Sequence, residues 1–129
     1  MLKRVIDNKD LIIEVHDEPG PGGANHHYSI TGFNTESNPS AIYTCGYTAH
    51  YSRLPILFQN GPILESGKNG ITVESLLTIC KDRLDSFQSG NFACEENQEA
   101  LDAIEKALRA LERRTLARQI RGVEGKSIV

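Results

Sequence analysis

Arg114, Arg118 and Arg121 follow one another at spacings of four and three, and Arg109 and Arg113 form a second row four apart. On a helix, such spacings gather the guanidinium groups of a row on one face. Planar forks held that way can grip two adjacent phosphates or a pyrophosphate. Residues 109 to 126 hold six of the fourteen Lys and Arg side chains against two acidic ones, Glu112 and Glu124, for a net charge of +4. Residues 1 to 108 are net −7. Basic side chains in the last turns of a helix also complement its dipole, but four arginines within residues 113 to 121, preceded by the single acidic Glu112, weigh against that reading alone.

A second group comprises Phe87, Phe92 and Asn97, with Gln88 and Gln98 nearby. A Phe ring can stack on a nucleobase, and an Asn amide can pair bidentately with the donor and acceptor edge of adenine. Packing at a helix end is the plainer reading of the two Phe residues. Asn97 is a weaker helix former than its neighbours, so its place one turn into a helix is less easily dismissed.

From Thr72 onward the apolar residues fall at helical spacing: Val73, Leu76, Leu77, Cys80, Leu84 and Phe87, then Leu101, Ile104, Leu108 and Leu111. Thr72 is the expected N-cap with Glu74 in the first turn, and Gly90 the expected left-handed stop. The short link Ser89 to Phe92 requires an antiparallel hairpin, with roughly 17 residues in the first helix and about 27 in the second, Cys94 to Ile120. The arginines occupy the surplus length of the second.

The first half reads as β structure. Val5, Leu11, Ile12, Ile13 and Val15 supply one or two strands around the polar turn Asp7 to Asp10, and Glu18 to Gly23 forbids regular structure. His26 to Phe33 and Ala41 to Tyr51 look like antiparallel strands joined through Ser37-Asn38-Pro39-Ser40. The Asn60-Gly61 and Asn69-Gly70 steps mark turns with positive φ at the join. The expected fold is α+β: a small antiparallel β module over residues 1–57, then a two-helix hairpin over residues 58–129 carrying the ligand site, together one compact unit that assembles as an oligomer.

Asn97 and Arg114 lie seventeen residues apart on one helix, a separation of about 25 Å at about 1.5 Å per residue. A mononucleotide or small dinucleotide cannot span that within one subunit. If both touch one ligand, a second hairpin must lie antiparallel alongside, and a two-fold dimer then carries two equivalent sites.

Other chemistry is poorly supported. His26 and His27 are adjacent on a strand, so they point to opposite faces and cannot chelate in the usual manner; His16 and His50 lie elsewhere. Gly20 to Gly23 contains Pro21, follows Pro19, and is not followed by Gly-Lys-Ser/Thr, so it makes a poor phosphate loop. Cys45, Cys80 and Cys94 are odd in number and widely spaced, consistent with free thiols in a reducing compartment. No apolar run approaches a membrane span and no signal-peptide core follows Met1, so a cytoplasmic protein is expected. No nucleophile and base pair stands out, so neither an enzyme, a cofactor nor a metal is expected.

The strings Phe58-Gln59-Asn60-Gly61-Pro62-Ile63, Asn69-Gly70, Asp82-Arg83-Leu84, Phe87 to Asn97, Arg114-Thr115 and Arg121-Gly122-Val123-Glu124-Gly125 resemble the C-terminal hairpin shared by two phage counter-defence families. These are the Thoeris anti-defence protein 1 family and the smaller anti-CBASS protein 2 family; residues 1 to about 57 resemble the former and are absent from the latter. The resemblance implies a non-enzymatic sponge in the host bacterial cytoplasm. It would sequester the signalling nucleotide of a bacterial immune TIR enzyme, so that the NAD-depleting Thoeris effector is never switched on. Cyclic ADP-ribose isomers, glycocyclic ADP-ribose among them, are the implied ligands, and some members also hold CBASS cyclic trinucleotides in separate pockets of a hexamer, a trimer of dimers. By the same resemblance Phe87 and Asn97 contact adenine, and Arg114 and Arg118 contact phosphate; Arg121, which shares their helix face by spacing, is a secondary candidate. A nucleic-acid-binding regulator using the basic helix end is the alternative, but the acidic residues 1 to 108 do not favour DNA or RNA.

Overall fold

The computed structural model describes residues 2–43 and 52–122. The chain forms two compact units, one up to Asn60 and one from Gly61 onward. The α+β class expected from the sequence is the observed one: a four-stranded antiparallel sheet, then helices.

In the first unit β1 (Arg4–Asn8), β2 (Leu11–Val15), β3 (His27–Thr31) and β4 (Arg53–Leu57) pair in the order β1-β2-β3-β4. Period-two alternation sorts the side chains. The cross-strand row Ile6, Ile13, Ile30 and Leu54, and the row Val15, Tyr28 and Ile56, fall on one face. Val15 is wholly buried there. The opposite face mixes Glu14, Ser29, Thr31 and Arg53 with Val5, Ile12 and Leu57, and its most buried residue is Ser29, 1% exposed. Arg53 Nη1 donates to Glu14 Oε1 and to Ser29 Oγ, each at 2.8 Å, while His16 Nε2 and Ser29 Oγ share a hydrogen bond of 2.7 Å. The buried hydroxyl is thereby satisfied.

Lys9, with φ 52°, turns β1 into β2. Gly32 ends β3 with φ 98°. A Cβ there would sit 3.1 Å from the Asp10 carbonyl oxygen and 3.3 Å from Leu11 Cα, both backbone atoms that cannot swing aside. Gly32→Ala is therefore expected to destabilise the β unit by about 1–3 kcal/mol, read as a lowered urea midpoint. An unchanged midpoint would show that the turn tolerates a side chain.

Asp17 anchors the chain between β2 and β3. Its carboxylate accepts the backbone N–H groups of His26 and His27 at 3.0–3.2 Å. Partial burial of the carboxyl works against ionisation, yet the N–H groups of His27 and His26 hold its pKa below the ordinary aspartate value. A carboxyl depressed in the folded state adds stability that is full above its unfolded pKa and disappears as pH falls through the folded pKa. Thermal stability is expected to decline below about pH 4, less steeply in Asp17→Asn. Equal slopes in the two proteins would remove Asp17 from the acid response.

The strand expected over Ala41 to Tyr51 does not form at its start. Pro39–Tyr43 is a 3-10 helix rather than the start of a strand, and residues 44–51, with Cys45 and His50, lie outside the described residues. Asn38 does make a turn, accepting Ala41 N–H at 3.1 Å, but β3 pairs with β4. That strand contains Pro55, which an edge strand tolerates, and among the described residues β4 pairs on one side only.

The second unit opens with the one-turn α1 (Ile63–Ser66), then α2 (Val73–Gln88) and α3 (Glu95–Ile120). The expected positive φ is present at Gly61 (90°) but not at Gly70; Gly67 (71°) has it instead, closing α1. Thr72 caps α2 as expected, with a reciprocal bond to Ser75. Gly90 is not the left-handed stop: Ser89 ends α2 in a helical conformation with its N–H on the Asp85 carbonyl. The link that follows is tied by side-chain bonds, which remove the need for a left-handed residue.

Candidate functional site

At the tip of the hairpin the Gln88 side chain ties α2 to α3. Its Oε1 accepts Cys94 N–H at 3.0 Å and its Nε2 donates to Gln98 Oε1 at 3.2 Å. Cys94 then caps α3, its Sγ accepting Asn97 N–H at 3.4 Å. Asn97 Nδ2 donates back to the Phe92 carbonyl at 3.2 Å. One of the two amide protons of Asn97 is thus used internally. Phe92 stands edge-on to Phe87, ring centroids 6.1 Å apart and planes at 86°. Phe87 and Asn97, adjacent in no part of the sequence, therefore belong to one cluster bridged by Phe92, which is 74% exposed.

Along α3, Leu101, Ile104, Leu108, Leu111 and Thr115 repeat at alternating spacings of three and four and form the packed seam. Asn97 continues that seam upstream and Arg118 downstream, both half-buried. The row beside it reads Ala100, Ala103, Ala107, Ala110, Arg114, Ala117 and Arg121. On α2 the seam is Glu74, Leu77, Lys81, Leu84 and Gln88, and the row beside it is Val73, Leu76, Cys80, Arg83 and Phe87. From the α2 seam Lys81 approaches Glu105 at 3.8 Å and Gln88 bonds to Gln98, so Glu105 and Gln98 mark the other flank of α3. In an antiparallel pair, equivalent flanking rows lie on the same side of the seam. The α3 row that holds Arg114 and Arg121 is otherwise alanine, and the α2 row that holds Phe87 is otherwise Val73, Leu76, Cys80 and Arg83.

The structure does not bring the two groups together within the chain. α3 is one continuous helix from Glu95 to Ile120, so Arg114 stays about 25 Å from Asn97 at about 1.5 Å per residue. Arg114 is exposed and makes no ion pair among the described residues. Arg121 follows the last helical turn, and residues 123–129, including Glu124 and Lys126, lie outside the described residues. Glu95 and Glu96 in the first turn and Arg118 in the last match the helix dipole.

Little of the hairpin is buried. Leu101 is the one buried side chain of the two long helices, while Val73, Ile79, Leu116 and Ile120 are at least half exposed. Sequence reasoning passed over Arg83, whose guanidinium lies over the Phe87 ring, Cζ 5.1 Å from the centroid. The spacing of four between the two residues was the signal. Among the described residues no group of three or more His, Cys, Asp or Glu is placed to hold a metal, and no helix is long and apolar enough to cross a membrane.

Fold and site define a small α+β chain whose second unit is a helical hairpin with an aromatic and amide tip and a basic far end. The chain belongs to the Acb2/Tad1 hairpin family, whose hairpin domain matches residues 52–116. Over 68 residues it is 46% identical to Thoeris anti-defense 1 of Bacillus phage SBSphiJ7, an alignment that covers 53% of this chain and 48% of that protein. The chain thus matches about half the length of that relative. Phe87, Asn97 and Arg114 fall inside the family match, Arg118 and Arg121 just beyond it.

Proposed function

We propose that the chain is a phage anti-defence protein that sequesters a cyclic ADP-ribose-type signalling nucleotide, glycocyclic ADP-ribose above all, without cleaving it, and so blocks Thoeris effector activation in the host bacterial cytoplasm. The site is shared: Phe87 and Asn97 of one copy hold adenine, and Arg114 and Arg118 of a second copy, with Arg121 beside them, hold the phosphates. A homodimer is the minimal unit; a trimer of dimers would create further pockets for cyclic trinucleotides.

The observation that carries this reading is the separation of the tip from the arginine end along one continuous helix, together with the exposure of apolar hairpin residues such as Val73 among the described residues. Laying a second hairpin antiparallel alongside covers Val73, Leu76 and the alanine row. The same placement carries each tip to the other copy's arginines. Titrating a signal requires binding and slow release rather than turnover, which suits a site made of stacking, amide and guanidinium groups.

The test combines three measurements on the wild-type chain: calorimetry with glycocyclic ADP-ribose, mass of the complex by light scattering, and chromatography of the nucleotide released on denaturation. Two nucleotides per dimer, recovered intact, are expected. A monomer that binds tightly would reject the shared site, and a cleaved product would reject sequestration. Tight, salt-steep binding to duplex DNA in place of the nucleotide would point to a regulator instead.

A further inference from the structure

Arg83 carries a charge that the fold leaves unspent. Lys81, two residues earlier, is bonded to Asp85 at 2.7 Å and approaches Glu105 at 3.8 Å. In the β unit Arg53 is paired with Glu14 and Lys3 with Glu18. No carboxylate among the described residues pairs with Arg83. Its guanidinium is laid over the Phe87 ring instead, one helical turn away.

Phenyl and guanidinium are each planar, and Arg83 Cζ, 5.1 Å from the Phe87 centroid, has to move off the ring for the two to become the walls of a slot. A purine is planar and offers a π-face on both sides, so it stacks on a phenyl ring and on a guanidinium plane alike. Arg83 is exposed, and swinging its long side chain off the ring requires a rotamer change rather than a backbone movement. The opened slot adjoins Phe92, whose carbonyl sets the Asn97 amide. A base entering it would meet that amide along its edge.

Granting that the tip is the adenine site proposed above, we infer that Arg83 contacts the ligand directly, its guanidinium forming the second wall of a base slot opposite Phe87. The contact selects for a flat aromatic base. A cyclic phosphodiester without a base in the slot would gain nothing from it. The alternative role for Arg83 is to shield Phe87 from water, in which case it competes with the base.

Calorimetry with glycocyclic ADP-ribose on the wild type, Arg83→Ala, Arg83→Lys and Phe87→Leu separates these roles, with thermal melts as a check on folding and the adenine absorbance band as a report on stacking. Arg83→Ala is expected to weaken binding about tenfold, to reduce the hypochromism on binding, and to leave the melt unchanged. Arg83→Lys should not restore affinity, because an ammonium has no plane to stack. Unchanged or tighter binding in Arg83→Ala, with binding weakened in Phe87→Leu, would overturn the second wall and leave the tip site standing. Full restoration by Arg83→Lys would also overturn it. Wild-type affinity in both Arg83→Ala and Phe87→Leu, or a wild type that takes no nucleotide, would overturn the tip site and the wall together.

Discussion

Arg114→Ala is expected to weaken binding of glycocyclic ADP-ribose by about ten- to a hundredfold while leaving the helical melt in place. A hydrogen bond to a charged group contributes roughly 1.5–3 kcal/mol, and a forked guanidinium on a pyrophosphate can make two of them. Arg114 is exposed and outside the packed seam, so its loss should touch the ligand rather than the fold. Arg118 belongs to the seam and is half-buried, so Arg118→Ala should weaken binding and lower the melt slightly. Calorimetry alongside circular dichroism distinguishes the two. Unchanged affinity in both variants would place the phosphates elsewhere.

The largest expected loss of stability comes from Leu101→Ala. Leu101 is 5% exposed, and no other side chain of α2 or α3 is buried. Removing a buried leucine side chain costs about 2–5 kcal/mol, which approaches the whole stability of many small units, about 5–15 kcal/mol. The helical signal should be lost at much lower urea in the variant, and under the proposed function saturating nucleotide should raise the midpoint of both proteins by mass action. A shift below about 0.5 kcal/mol, the scale of an ordinary surface substitution, would mean that the hairpin is held by other contacts.

The helical half was legible because local rules agreed there. Thr72 capped the helix, the apolar residues kept a helical period, and Cys94 opened the second helix one residue before its observed start. The first three strands were legible for the same reason, as the alternation Tyr28, Ile30 against Ser29, Thr31 matches the observed faces. β4 was missed because Pro55 argues against a strand in a short segment, and only the knowledge that the strand lies at an edge reverses that argument. Gly90 was misjudged because the stop comes from Gln88 holding Cys94, a contact that forms only once the hairpin has closed. Of the candidate site, residue types and their spacing were visible in the sequence. The bridge from Phe87 through Phe92 to Asn97 was not, since edge-on ring contact and a bond to a backbone carbonyl leave no trace in spacing.

The uninterrupted α3 acts as a gauge. Deleting one residue between Asn97 and Arg114 would turn the arginines by about 100° away from their face, whereas inserting seven would keep the face and shift them by about 10 Å. The insertion would leave a copy able to match only a mate of the same length, whereas the deletion would spoil the site with any mate. Under a shared site, drift in that length would sort related proteins into separate mating types, each closed to heterologous pairing even where every contact residue is identical.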